Sequence, residues 1–274
     1  MANSLALLSD AGHMAGDVAA LALSLFALWL AARPADEART FGYHRAEVVA
    51  ALANAAGLLV VTGFILHEAY RRFLAPPAVE GGLMLGVAVA GLVANAAAAL
   101  VLHGGSRESL NLRGAFLHVL GDLLGSLGAA AAAVIILLTG WTLADPIISA
   151  FIGLLIVIGA WRLLAQSLHV LMEGVPAGLD YREIAAAILA TPGVVGVHDL
   201  HVWSITAGFP ALSCHVVIAD DCGTADALER LQAMLAARFG IHHATLQIER
   251  PAACPGGGAC APGAKGAGVG RRRK

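Results

Sequence analysis

The chain has 274 residues, 58% hydrophobic and only 13% charged, with a mean hydropathy of +0.77. Soluble domains carry about a quarter of their residues as charges, so an ordinary soluble domain is excluded and an integral membrane protein is expected. The formal net charge of -2 argues for neither nucleic acid nor an acidic partner, so function must come from where the charges are placed.

Five apolar segments run over residues 4–32, 46–70, 81–102, 112–138 and 146–171, each long enough to supply the ~20 apolar residues that cross a hydrocarbon core. The first nine residues contain no Lys or Arg, so the opening segment lacks the basic start of a cleavable signal and is read as a membrane helix. It nevertheless carries Asp10, His13 and Asp17. An Asp at the centre of a membrane helix costs roughly 2.5 to 3.5 kcal/mol, which implies that these residues have a use. Residues three, four and seven apart share a helix face, so the three form one polar stripe. His13 and Asp17, one turn apart, suit two corners of a tetrahedral metal site.

Arg33, Arg39 and Arg45 lie in the first connection, Arg107 and Arg113 in the third, and the fourth has no basic residue. By the positive-inside rule the first and third connections and everything after the fifth helix are cytoplasmic, with Arg71 and Arg72 as counter-examples. Asn54 and Asn95 read as interhelical hydrogen-bond partners, and Asp145 before Pro146 reads as a helix N-cap.

The fourth segment repeats the opening theme: His118 and Asp122 are four residues apart, with Ser126 one turn further along the same face. A single intramembrane His reads equally well as a hydrogen-bonded core residue. Two HxxxD pairs at similar depth instead make an N2O2 ligand set, the number and softness that Zn2+ favours. Gly121 and Gly125 form a small-xxx-small pattern that permits close helix approach, or is ordinary packing.

After Glu173 the apolar run ends. Helix patterns over 181–190 and 225–239 and strand patterns over 194–206, 211–219 and 244–249 give a small ferredoxin-like αββαβ domain, marginal in size and helped by dimerisation. Its histidines include His198, His201 and His215; the strand period of two sends His198 and His201 to opposite faces unless the strand bends. Each reads as a surface histidine, or else His198, His215 and Glu249 form a regulatory metal site. Residues 251–274 are too rich in Gly and Pro to pack and read as a disordered tail, its RRRK end near anionic lipid or solvated. The domains expected are therefore a transmembrane transport domain over 1–172, a cytoplasmic α+β domain for metal sensing and dimerisation over 173–250, and the tail. The four cysteines, Cys214, Cys222, Cys254 and Cys260, are too scattered for a disulfide framework and read as free thiols.

The stretches NSLALLSDAGHMAGDVAAL, RPADEARTFGYHRAEVVAAL, LHVLGDLLGS, LADPIISAFIGLLI, LMEGVP and GVHDLHVWSIT together resemble the cation diffusion facilitator family, its bacterial zinc, cobalt and cadmium resistance branch in particular. The resemblance implies a polytopic α-helical membrane protein with a cytoplasmic α+β domain, acting as a homodimer in the bacterial inner membrane. It implies proton-coupled efflux of Zn2+, with Co2+ or Cd2+ possible substrates, through a site of His13, Asp17, His118 and Asp122. It also implies secondary metal positions at His44, His198, His215 and Glu249, and no organic cofactor. Members of the family have six membrane helices, and the first apolar segment here matches their second, so the expectation is that the first is lacking. A non-transporting metal sensor is the alternative in that case. An enzyme is not expected: an intramembrane metalloprotease needs HExxH, and His67-Glu68 is followed by Ala69, Tyr70 and Arg71.

Overall fold

The protein is described from a computed structural model, in which residues 19–76, 81–103 and 110–251 are placed. His13, Asp17 and Asp10 lie outside the described residues, as do Cys254, Cys260 and the expected tail from residue 252 onward. The chain divides into two compact units, Met1–Leu171 and Met172–Lys274.

The first unit is helical: α1 (Ala19–Ala31 among the described residues), α2 (Arg45–Leu74), α3 (Gly81–His103), α4 (Leu110–Thr139) and α5 (Ala144–Leu171). Helices α2 to α5 are each long and apolar enough to cross a membrane. Their outward faces carry large apolar side chains such as Phe64, Val93, Leu138 and Phe151, as lipid contact requires. The inward faces are made of small residues. Ala50, Ala51 and Ala55 of α2, Ala132 and Ala133 of α4, and Ala160 of α5 are all buried.

Close approach in α4 follows a heptad of glycines rather than the expected Gly121/Gly125 pair. A Cβ on Gly114 would meet Leu163, one on Gly121 would meet Ile156, and one on Gly128 would meet Ile152 and Ile148, whereas one on Gly125 would meet nothing within 4 Å among the described residues. These contacts step up α4 while stepping down α5, so the two helices are antiparallel. Two further expectations are corrected. Helix α5 begins at Ala144, which puts Asp145 inside the first turn, where its carboxylate pairs with Arg72 at 3.4 Å instead of capping. Asn95, half-buried in α3, has no hydrogen-bond partner among the described residues.

The second unit runs α6 (Tyr181–Leu189), β1 (Val194–Thr206), β2 (Phe209–Ile218), α7 (Thr224–Phe239) and β3 (His243–Glu249), the αββαβ order. Asp180 caps α6 by accepting from the Arg182 amide at 2.7 Å, and Gly240 ends α7 in the left-handed region at φ 66°, which glycine adopts without strain. The sheet order is β1-β2-β3, antiparallel then parallel. One face is apolar: Leu212, Cys214, Val216 and Ile218 of β2 cluster with Ile184 and Ile188 of α6 and Leu231 and Leu235 of α7, all essentially buried. The period of two therefore turns Ser213 and His215 to the other face.

Candidate metal centres

In the membrane unit, α4 presents His118 and Asp122 one turn apart, with Nε2 of the imidazole 3.7 Å from Oδ2 of the carboxylate. Both side chains are mostly buried, 13% and 17% exposed. Two ligand atoms about 2.0 to 2.1 Å from one tetrahedral ion lie roughly 3.4 Å apart, so this pair has the bite of half a zinc site. His13 and Asp17, the other expected half, lie outside the described residues. Asn54, expected to bond between helices, does so: its amide donates to Ser24 Oγ at 2.9 Å and lies 3.4 Å from the Ala20 carbonyl.

His44 stands at the N-terminus of α2, half-buried and without a side-chain capping bond. Among the described residues it does not join a group of three ligand atoms.

A complete three-residue group is found on the open face of the cytoplasmic sheet. His198 of β1, His215 of β2 and Glu249 of β3 each offer one ligand atom, all within 4.8 Å of one another. Register explains the convergence: His198 is paired directly with His215, and Glu249 with Val217, two residues along from His215 on the same face. Glu249 Oε2 lies 2.9 Å from His198 Nε2, and Oε1 lies 2.8 Å from His215 Nδ1 and 2.8 Å from the donating Gln247 amide. These hydrogen bonds, that of His198 foremost, hold the Glu249 carboxyl below its ordinary range.

The expected opposition of His198 and His201 is overturned by a β-bulge. Between these residues β1 spends three steps where β2 spends two, from His215 to Ser213, so His201 returns to the face of His198. Asp199, in the bulge at φ 51°, puts one carboxylate oxygen 3.0 Å from His201 Nε2 and the other 3.8 Å from His215 Nε2. Asp199, His201 and Gln247 thus lie around His198, His215 and Glu249. The bend was not legible in a strand pattern whose polarity alternates normally on either side of it.

Cys214 is buried in the core on the opposite face, and burial pushes its thiol up to about 12; it and Cys222 are free thiols.

Two family patterns match the chain: the cation efflux transmembrane domain over residues 1–172 and the cation efflux protein cytoplasmic domain over residues 176–251. Among curated relatives, the metal cation efflux system protein CzcD of Cupriavidus metallidurans is 48% identical over 252 residues, 91% of this chain and 79% of its own length. The zinc transporter ZitB of Escherichia coli is 46% identical over 251 residues, covering 91% and 80%. A cadmium, cobalt and zinc/H(+)-K(+) antiporter of Bacillus subtilis is 42% identical over 257 residues, covering 92% and 82%. A solved metal-bound C-terminal domain of CzcD is 43% identical, covering 26% of this chain and 99% of that one, with a TM-score of 0.25.

Proposed function

The chain belongs to the cation efflux protein family, a membrane domain followed by a cytoplasmic one, and from that premise we propose that it exports divalent metal ions from the cytoplasm. Zn2+ is the first substrate and Co2+ and Cd2+ are alternatives, because two imidazoles and two carboxylates suit tetrahedral ions of borderline softness. The relatives' names, which include zinc, cobalt and cadmium, support the same set. The observation that carries the reading is the His118–Asp122 pair, an expensive polar couple kept inside a membrane helix with a metal-sized bite.

The transport site is His118 and Asp122 of α4 with His13 and Asp17 of the first helix, within a transport domain of residues 1–172. Metal binds to neutral imidazoles and ionised carboxylates, so metal and protons compete for the same atoms. Free imidazole titrates near ~6.5, which puts this exchange within reach of neutral pH. Rocking of the helices that carry the site exposes it first to the cytoplasm and then outside, where protons displace the metal, and an inward proton gradient drives export. The protein works as a homodimer in the bacterial inner membrane. Residues 173–250 sense metal through His198, His215 and Glu249, and His44 is an additional cytoplasmic contact.

Purified protein in liposomes should move Zn2+ when a pH step is imposed, with a trapped pH dye reporting opposite proton movement. Zn2+ flux indifferent to the pH step would remove the antiport mechanism. Metal-dependent closure of the dimer with no flux at all would favour the sensor reading.

A further inference from the structure

Three helices of the membrane unit converge on one residue, Ser24 of α1. The Asn54 amide of α2 donates to its Oγ at 2.9 Å, and the Asn111 amide of α4 donates to its main-chain carbonyl at 2.6 Å. Ser24 is 2% exposed and Asn111 not at all. Gly114, one turn beyond Asn111, lets α4 close up on α2 and α5, since a Cβ there would lie 3.7 Å from both Ala51 Cα and Asn54 Cβ and 3.3 Å from Leu163. Asn111 also keeps a cost: its Oδ1 is buried with no hydrogen-bond partner among the described residues. A leucine at that position would carry no such unpaired atom, so the amide is retained for the one bond that it makes.

We propose that Asn111 is a positioning residue for transport: with Asn54 it clamps Ser24 and fixes the axial register of the first helix against α4. This rests on the assignment of the transport site to these two helices. The buried residues of α1, Ser24, Ala27 and Ala31, define the face turned to the bundle. Counting forward from Asn111 on α4 in steps of four, three and four gives 115, 118 and 122, so the His118–Asp122 pair lies on the face of the clamp. On α4, His118 is seven residues from the clamp, about 10.5 Å of helix, and Asp122 is eleven, about 16.5 Å. The bond to Ser24 therefore fixes the first helix against the same helix that carries the His118–Asp122 pair.

The test is cobalt spectroscopy of the full-length protein in nanodiscs, in a background with His198→Ala and His215→Ala to silence the cytoplasmic group. Tetrahedral Co2+ absorbs strongly in the visible, and looser or higher coordination absorbs weakly. Asn111→Leu should weaken and shift this band and lower Co2+ affinity about 10- to 100-fold, as loss of outer support does at metal sites. A general packing defect would lower the melting temperature without moving the band of the protein that stays folded. Asn54→Leu and Ser24→Ala remove the same bond, so their effects on affinity should be equal and not add. An unchanged band in Asn111→Leu, or additive effects of the other two variants, overturns the clamp while the site stands if His118→Ala abolishes the band. A band that survives His118→Ala overturns the site assignment itself. If Asn111→Leu does not fold, the Asn54 and Ser24 comparison decides alone.

Discussion

Glu249 joins two imidazoles from two neighbouring strands, and its chemistry yields two predictions. Glu249→Gln removes the only anionic ligand of the group, so the cytoplasmic site should bind Zn2+ at least about tenfold more weakly, a difference of ~1.4 kcal/mol or more by calorimetry. Its carboxyl is held below the ordinary value of 4.5, chiefly by His198, so the stability it adds is complete above that value and lost as pH falls through the lower folded one. The advantage of the wild-type domain over Glu249→Gln in thermal unfolding should shrink under acid. Cys214 runs the other way: with its thiol raised from 9.0 to about 12, its contribution is complete below pH 9 and is lost as pH climbs toward 12. In the native protein iodoacetamide at pH 8 should spare Cys214 while labelling half-exposed Cys222, as peptide mapping reads. At this scale the convergence of His198, His215 and Glu249 on one sheet face was legible as a candidate site, because alternation on three strands is a local pattern. Ser24 and Asn111 were not, since a hydrogen bond between residues 87 apart leaves no trace in periodicity.

Among the elements, α4 carries both the His118–Asp122 pair and the glycine seam, so packing against α5 fixes the helix that holds the pair. The Gly121/Gly125 reading took the wrong interval. Nearly antiparallel helices in long contact meet every seventh residue, and Gly114, Gly121 and Gly128 are those at which a Cβ would meet α5. Gly128→Leu should therefore cost about 1–3 kcal/mol from overpacking against Ile148 and Ile152, seen as a lower unfolding midpoint in detergent. Gly125→Leu, with nothing within 4 Å among the described residues, should stay within about 0.5 kcal/mol of wild type. The bounds of α2 to α5 were legible to within a few residues, since apolar length is a strong signal. The bulge at Asp199 was not, because it depends on a register that only pairing with β2 reveals.

At the scale of the molecule, charge placement agrees with a membrane domain whose basic connections face the cytoplasm. The two arginines that run against that rule are paired locally, Arg71 with Glu68 at 3.5 Å and Arg72 with both Glu68 and Asp145. The central claim is that metal crosses through the ligands on α4. Zn2+ uptake into proteoliposomes driven by a pH gradient tests it most directly, comparing wild type with the His118→Ala, Asp122→Ala double variant at equal reconstituted protein. The account predicts that the double variant falls to the leak rate of empty liposomes; flux equal to wild type would contradict it.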